Sequence, residues 1–211
     1  MPDQAIVLLR HAEKPVPGSA IRGVDEHGNP DVNGLSVQGW QRAGALVRWL
    51  CPVDRPPRFG QPTFLCAAKT TSRRPSRRPV LTLLPLSRAL HLPVHAEFET
   101  NAVADAALAL ARTDGTRVVS WRRRLLPSLA RATARQLNCD AQDIPSNWPA
   151  DRFDIAWVFV RHPEGWRFEQ ETQNLLAQDR QEKVACMSRS CAASMDSASP
   201  ATTPGRRSSA A

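Results

Sequence analysis

An arginine and a histidine, Arg10 and His11, directly follow the short apolar run Ala5 to Leu9. A run of that length reads as a buried strand, so both side chains emerge at its carboxyl end, where open α/β sheets take their ligands. The chemistry this pair suits is phosphoryl handling. A neutral imidazole can attack phosphorus and carry the phosphoryl group as a phosphohistidine, provided neighbouring cations keep it unprotonated and hold the phosphoryl oxygens in line. Arg10 is placed to do the holding. The dipeptide alone does not separate this reading from a histidine that merely hydrogen-bonds a carbonyl at a strand end.

Two further arginine clusters follow. Arg73, Arg74, Arg77 and Arg78 precede or open an apolar-periodic segment. Arg78 falls in the first turn of the expected helix, where its charge adds to backbone N–H groups already suited to an anion. The other three have a simpler reading as a solvated face. Arg122, Arg123 and Arg124 sit between a strand candidate and a helix candidate. Three cations at a helix start oppose the helix dipole unless an anion or solvent neutralises them. Protonation of a leaving group calls for a carboxylic acid of raised pKa. Glu97 and Glu99 follow a strand-like segment and share one face if the chain is extended there, with Glu99 preferred. Glu13 is close to His11 in sequence but is expected to face the loop.

The elements that must position these residues alternate as in a parallel sheet with helices on its faces. Strands are expected at Ala5–Leu9, Thr63–Ala67, Val94–Phe98 and Arg117–Trp121, and a closing hairpin at Asp154–Val160 and Trp166–Glu169. Helices are expected from the Ser36 cap to Leu50, over Ser76–Leu90 with Pro79 in the first turn and a kink at Pro85, over Ala102–Arg112, and over Leu125–Leu137. Lys14 to Gly34 holds too much proline and glycine for an element and reads as a long surface excursion, which with Asp140–Trp148 makes the rim of the pocket. His162, in the second Arg-His-Pro sequence, reads as a structural or surface turn residue.

In order and spacing, IVLLRHAEKP (Ile6–Pro15), GLSVQGWQRAGAL (Gly34–Leu46), PSRRPVLTLLPLSRAL (Pro75–Leu90), VVSWRRRLLPSLARA (Val118–Ala132) and WPADRFDIAWVF (Trp148–Phe159) resemble the histidine phosphatase superfamily, the phosphoglycerate mutase-like family. The resemblance implies a three-layer α/β/α sandwich with a mainly parallel central sheet over residues 1–181, His11 as the nucleophile, and Arg10 and Arg78 as phosphate-binding arginines. It places the family's acid in the region of Glu97 and Glu99. Three departures stand out: Ala12 where many members have glycine, Leu81 where a glutamine is usual before the threonine matched by Thr82, and Arg123 where the family carries its second histidine. Loss of a donor to the developing charge commonly costs about a hundredfold to a thousandfold in rate, unless the charge of Arg123 replaces it.

The 211 residues, 42% of them hydrophobic, suffice for one domain with a buried core. The net charge of +8 rests on arginine, since Lys14, Lys69 and Lys183 are the only lysines, and arginine favours bidentate contact with oxyanions. The five cysteines form neither a C-x-x-C pair nor a Cys/His cluster, which argues for reduced thiols over a disulfide framework or a structural zinc. From about Glu182 to Ala211 the chain is rich in Ser, Ala and Arg without periodicity and reads as a disordered tail. No apolar run is long enough to span a membrane and no basic leader precedes the first strand, so the expected compartment is the cytoplasm.

The expectation is therefore a phosphomonoesterase acting through a phosphohistidine on a small phosphorylated substrate, with no metal or cofactor required, and with hydrolysis preferred over mutase activity. The competing reading is a relative impaired at Arg123 that binds phosphorylated metabolites or other anions without turnover. A nucleic-acid-binding protein has only the charge in its favour, since no nucleic-acid module is visible. A serine hydrolase lacks its G-x-S-x-G elbow.

Overall fold

The computed structural model describes residues 4–16, 18 and 20–186. Its centre is strand β1 (Ala5–Arg10), all six residues of which are buried. With β2 (Gly23–Val24), β3 (Leu35–Ser36), β4 (Pro62–Ala67), β5 (Val94–His95), β6 (Thr116–Trp121), β7 (Ile155–His162) and β8 (Gly165–Thr172), the strands form a six-stranded sheet in the order β5-β4-β6-β1-β7-β8 and a small β2-β3 ribbon. The first four strands of the large sheet run parallel, with Ala5 beside Thr116 and Arg10 beside Trp121; β7 and β8 run antiparallel and close one edge.

A sheet covered on both faces needs strands buried on both faces, which is why β1 is continuously apolar from Ala5 to Leu9 and why every residue of β6 is buried although Thr116, Arg117 and Ser120 are polar. Ile6 and Leu8 join Val119, Trp121 and Trp157 against α3 (Val103–Arg112) and α4 (Leu126–Gln136). Ala5, Val7 and Leu9 join Val118 and Val158 against α1 (Val37–Leu50) and α2 (Arg78–Leu90). The result is the three-layer α/β/α arrangement expected, with two helices on each face.

Local signals explain most boundaries. The Ser36 hydroxyl caps α1 by accepting from Gly39 N, and Pro79 occupies the opening of α2, where its missing N–H has no partner to lose. Several boundaries differ from expectation. Strand β5 ends at His95 instead of Phe98, because only Leu65 and Cys66 of β4 pair with it. Strand β7 runs through His162, which pairs with Gly165, so the turn is Pro163-Glu164 and His162 is a strand-end residue. The excursion from Lys14 to Gly34 is not wholly irregular, since Gly23 and Val24 pair with Ser36 and Leu35. The cysteines Cys51, Cys66, Cys139 and Cys186 are free thiols. Residues 182–186 belong to no helix or strand, and the rest of the expected tail, with Cys191, lies outside the described residues. Among the described residues no helix is long and apolar enough to cross a membrane.

Candidate active site

Parallel pairing of β1 with β6 brings their carboxyl ends to one edge, and both chains continue there into charged residues. Arg10 and His11 leave β1, while Arg122, Arg123 and Arg124 leave β6 through a single 3-10 turn at Arg123–Leu125. The start of α2 approaches from the opposite layer and adds Arg78, with Arg74 and Ser76 just before it. Together with Lys14, Thr100 and Leu125 these residues line a cavity of about 350 Å³.

His11 is 9% exposed. Its Nδ1 lies 2.8 Å from the carbonyl oxygen of Ala12. A carbonyl oxygen only accepts, so Nδ1 carries the proton and Nε2 keeps the lone pair. Burial is the largest influence on the ring and, with the charges of Arg10, Arg78 and Arg122, it outweighs the Ala12 hydrogen bond and brings the pKa down to about 3. The imidazole is therefore neutral at any ordinary pH, the state in which it is a nucleophile.

Four of the arginines that line the cavity with it are oriented by neutral oxygens. Arg10 Nη1 donates to the carbonyls of Pro149, Ala150 and Arg152 at 3.3, 2.8 and 2.8 Å, and its guanidinium carbon stands 3.5 Å from the centre of the Phe153 ring. Arg78 donates through Nε to Gly34 O at 2.8 Å, through Nη2 to Val32 O at 2.6 Å and through Nη1 to Ser76 Oγ at 3.3 Å. Arg122 Nη2 donates to Arg74 O, and Arg123 Nη1 to Trp148 O. Carbonyls fix a guanidinium in place without neutralising it, so the charge of the cluster stays available for an anion. Burial, reinforced by Arg123, lowers Arg10 to about 10, against the opposing pull of Glu13 and Asp151. Arg78 and Arg122 are lowered by burial and then by their neighbours, Arg122 and Arg74 respectively.

The strand end that presents His11 is itself tied on both sides. Ala12 N donates to Thr82 Oγ1, whose hydroxyl donates to Arg78 O. Ser36 donates to Glu13 O through both its amide and its hydroxyl. A Cβ on Gly39 would lie 2.4 Å from the same Glu13 oxygen, so only glycine lets α1 dock this closely. Glu13 does not face the loop, as expected from sequence, but turns inward to pair with buried Arg42 at 2.7 Å, and Arg42 also holds Asp179 at 2.6 Å. The physical reason is that α1 brings Arg42 beneath the loop, a partner that spacing alone does not reveal. Ala12 and Leu81, two of the departures from the family pattern, pack together with Leu35 and Ala43. Leucine at 81 thus fills an apolar contact under the site.

Of the residues expected from sequence, Arg10, His11, Arg78 and Arg123 line one cavity, whereas Glu97 and Glu99 do not. Both glutamates are exposed, and Glu97 is hydrogen-bonded to His95. The extended geometry assumed for them fails because β5 stops at His95; Thr100, buried and joined to Trp121 Nε1 through its carbonyl, is the residue of this segment that reaches the wall. Sequence reasoning read Arg74 as part of a solvated face, weighed Arg122 only within its cluster, and did not single out Ser76, Thr100 or Lys14 for the site. Arg122 had a signal, since it directly follows the strand residue that pairs with Arg10. No group of three or more His, Cys, Asp or Glu suited to a metal ion occurs among the described residues.

No family model and no curated protein matches the chain. Among solved structures, the chain is similar to one from Nakamurella multipartitia described as "Putative Phosphohistidine Phosphatase SixA", with 17% sequence identity and a TM-score of 0.44, over 80% of this chain and 96% of that one.

Proposed function

We propose that the protein is a phosphohydrolase in which His11 carries the phosphoryl group as a covalent intermediate. The observation that carries this reading is the state of His11: a buried imidazole kept neutral, with Nδ1 anchored on Ala12 O and Nε2 left as the nucleophilic nitrogen, beside Arg10, Arg78 and Arg122, none of which forms an ion pair among the described residues. In the first step Nε2 attacks phosphorus and the bond to the leaving oxygen breaks. The arginines bear the charge on the phosphoryl oxygens. In the second step water attacks phosphorus, the P–N bond breaks and its electron pair returns to Nε2. The motif order shared with histidine phosphatases agrees with this assignment.

The test is the initial rate of phosphate release from an aryl phosphate without added metal, for the wild type beside His11→Ala, from about pH 5 to pH 8. It is paired with ³¹P NMR of acid-labile phosphoprotein. Turnover lost in the variant, with a phosphohistidine signal only in the wild type, supports the reading. Equal rates in the two proteins sink it.

A second reading, binding of phosphate or phosphorylated metabolites without turnover, is favoured by the absence of a carboxylate from the cavity wall among the described residues. It expects orthophosphate binding that needs Arg78, and no release of phosphate from any ester.

A further inference from the structure

The cavity has more positive charge than one phosphoryl group requires, and this inference rests on the phosphohistidine reading above. Among the described residues its wall holds seven cationic side chains in two tiers: Arg10, Arg78, Arg122 and Arg123 buried or half-buried, and Lys14, Arg74 and Arg124 exposed at the rim. None of the seven forms an ion pair with a carboxylate among the described residues, although pairs are common elsewhere in the molecule, for example at Arg42, Arg77 and Arg152. Polar atoms are also left over in the wall: Arg10 Nε, Arg122 Nε and Thr100 Oγ1 are buried without a hydrogen-bond partner.

A phosphate monoester brings about two negative charges. The three arginines whose charges act on His11 already more than match it, which leaves the rim cations and Arg123 without a counterpart. At the same time the described residues of the wall offer no carboxylic acid to protonate an alkoxide as it departs. A leaving group that needs no proton and that carries its own negative charge satisfies both observations. A phosphate does so.

We infer that the substrate class is a phosphoanhydride, a diphosphate or longer chain, whose terminal phosphoryl group sits among Arg10, Arg78 and Arg122 while the adjoining phosphate lies against the rim cations. His11 Nε2 forms the P–N bond as the bridging P–O bond breaks, and that electron pair stays on the departing phosphate, which leaves unprotonated. Water then cleaves the P–N bond. One of its protons stays on the released orthophosphate and the other passes to solvent.

The experiment measures binding and turnover at fixed ionic strength without metal. By calorimetry, pyrophosphate is expected to bind at least about tenfold more tightly than orthophosphate, and Arg74→Gln combined with Arg124→Gln is expected to narrow that preference. In turnover, orthophosphate release from a nucleoside diphosphate is expected to exceed release from the corresponding monophosphate by about a hundredfold or more. Equal affinities for the two anions, or equal rates on the diphosphate and monophosphate while aryl phosphate turnover still depends on His11, overturn the anhydride assignment and leave the phosphohistidine reading standing. Aryl phosphate turnover that survives His11→Ala overturns both.

Discussion

The backbone amide of Ala12 donates to Thr82 Oγ1 at 2.8 Å, and through this bond the strand end bearing His11 is coupled to the helix that begins at Arg78. The Thr82 hydroxyl in turn donates to Arg78 O at 2.7 Å, so a single buried side chain joins the proposed nucleophile and the proposed phosphate-binding arginine. Thr82→Val keeps the shape and removes both bonds. A buried amide left unsatisfied costs about 1–3 kcal/mol. We expect that loss in urea unfolding, with a fall in kcat larger than any change in KM, because the displaced group is the proposed nucleophile.

Arg122 acts on His11, whereas Arg123 is turned to the carbonyl of Trp148. Arg122→Gln is expected to lower the rate of phosphoryl transfer by about a hundredfold to a thousandfold, as for loss of one donor to developing charge. It is also expected to raise the pKa of His11, since a cation that depresses it is gone, and NMR titration of the ring reads this directly. Arg123→Gln is expected to leave the His11 titration closer to that of the wild type.

Protonation of His11 sets a pH dependence of stability. The unfolded imidazole titrates near its ordinary value of 6.5, and the folded one near 3. Between these values the unfolded chain binds a proton that the folded chain rejects, so folding weakens as the pH falls through this window and is unaffected above it. Relative to His11→Gln, the wild type should lose about 2 kcal/mol between pH 7 and pH 5. Urea unfolding of both proteins at the two pH values checks the sign and the size. An acid limb of activity centred near 6.5 would contradict the same assignment of the nucleophile.

Arg42 lies at the meeting point of Glu13, Gln173 and Asp179, so it ties the loop after His11 to the segment that follows β8. Burial alone would push Asp179 up, but the Arg42 guanidinium and the amides of Leu175 and Leu176 outweigh it and hold the carboxylate below its ordinary range. Arg42→Leu leaves two buried carboxylates without a counter-charge and is expected to cost about 3–5 kcal/mol. The midpoint of urea unfolding measures it. A loss under 1 kcal/mol would mean that the segment relaxes and that Arg42 does not anchor it.

Much of this molecule was legible before folding was considered. The period of apolar residues, the Ser36 cap and the position of Pro79 mark α1 and the start of α2, because these are local effects of backbone geometry and of hydrogen bonds within one turn. The Arg10-His11 pair after a buried run, and an arginine at the start of a helix, can be read as one site because parallel α/β sheets gather their carboxyl ends. The fate of carboxylates was not legible. Whether Glu13, Glu97 or Glu99 enters the site depends on where α1 sets Arg42 and where β5 stops, and both follow from pairing across distant segments. Sequence therefore decided the chemical identity of the groups and the elements that carry them, since both are set by residue type and short-range spacing. Tertiary structure alone decided which of them share a cavity, that Nδ1 of His11 is occupied by Ala12, and that among the described residues seven cations line the pocket with no carboxylate beside them, because burial and electrostatics depend on distances that no local pattern encodes.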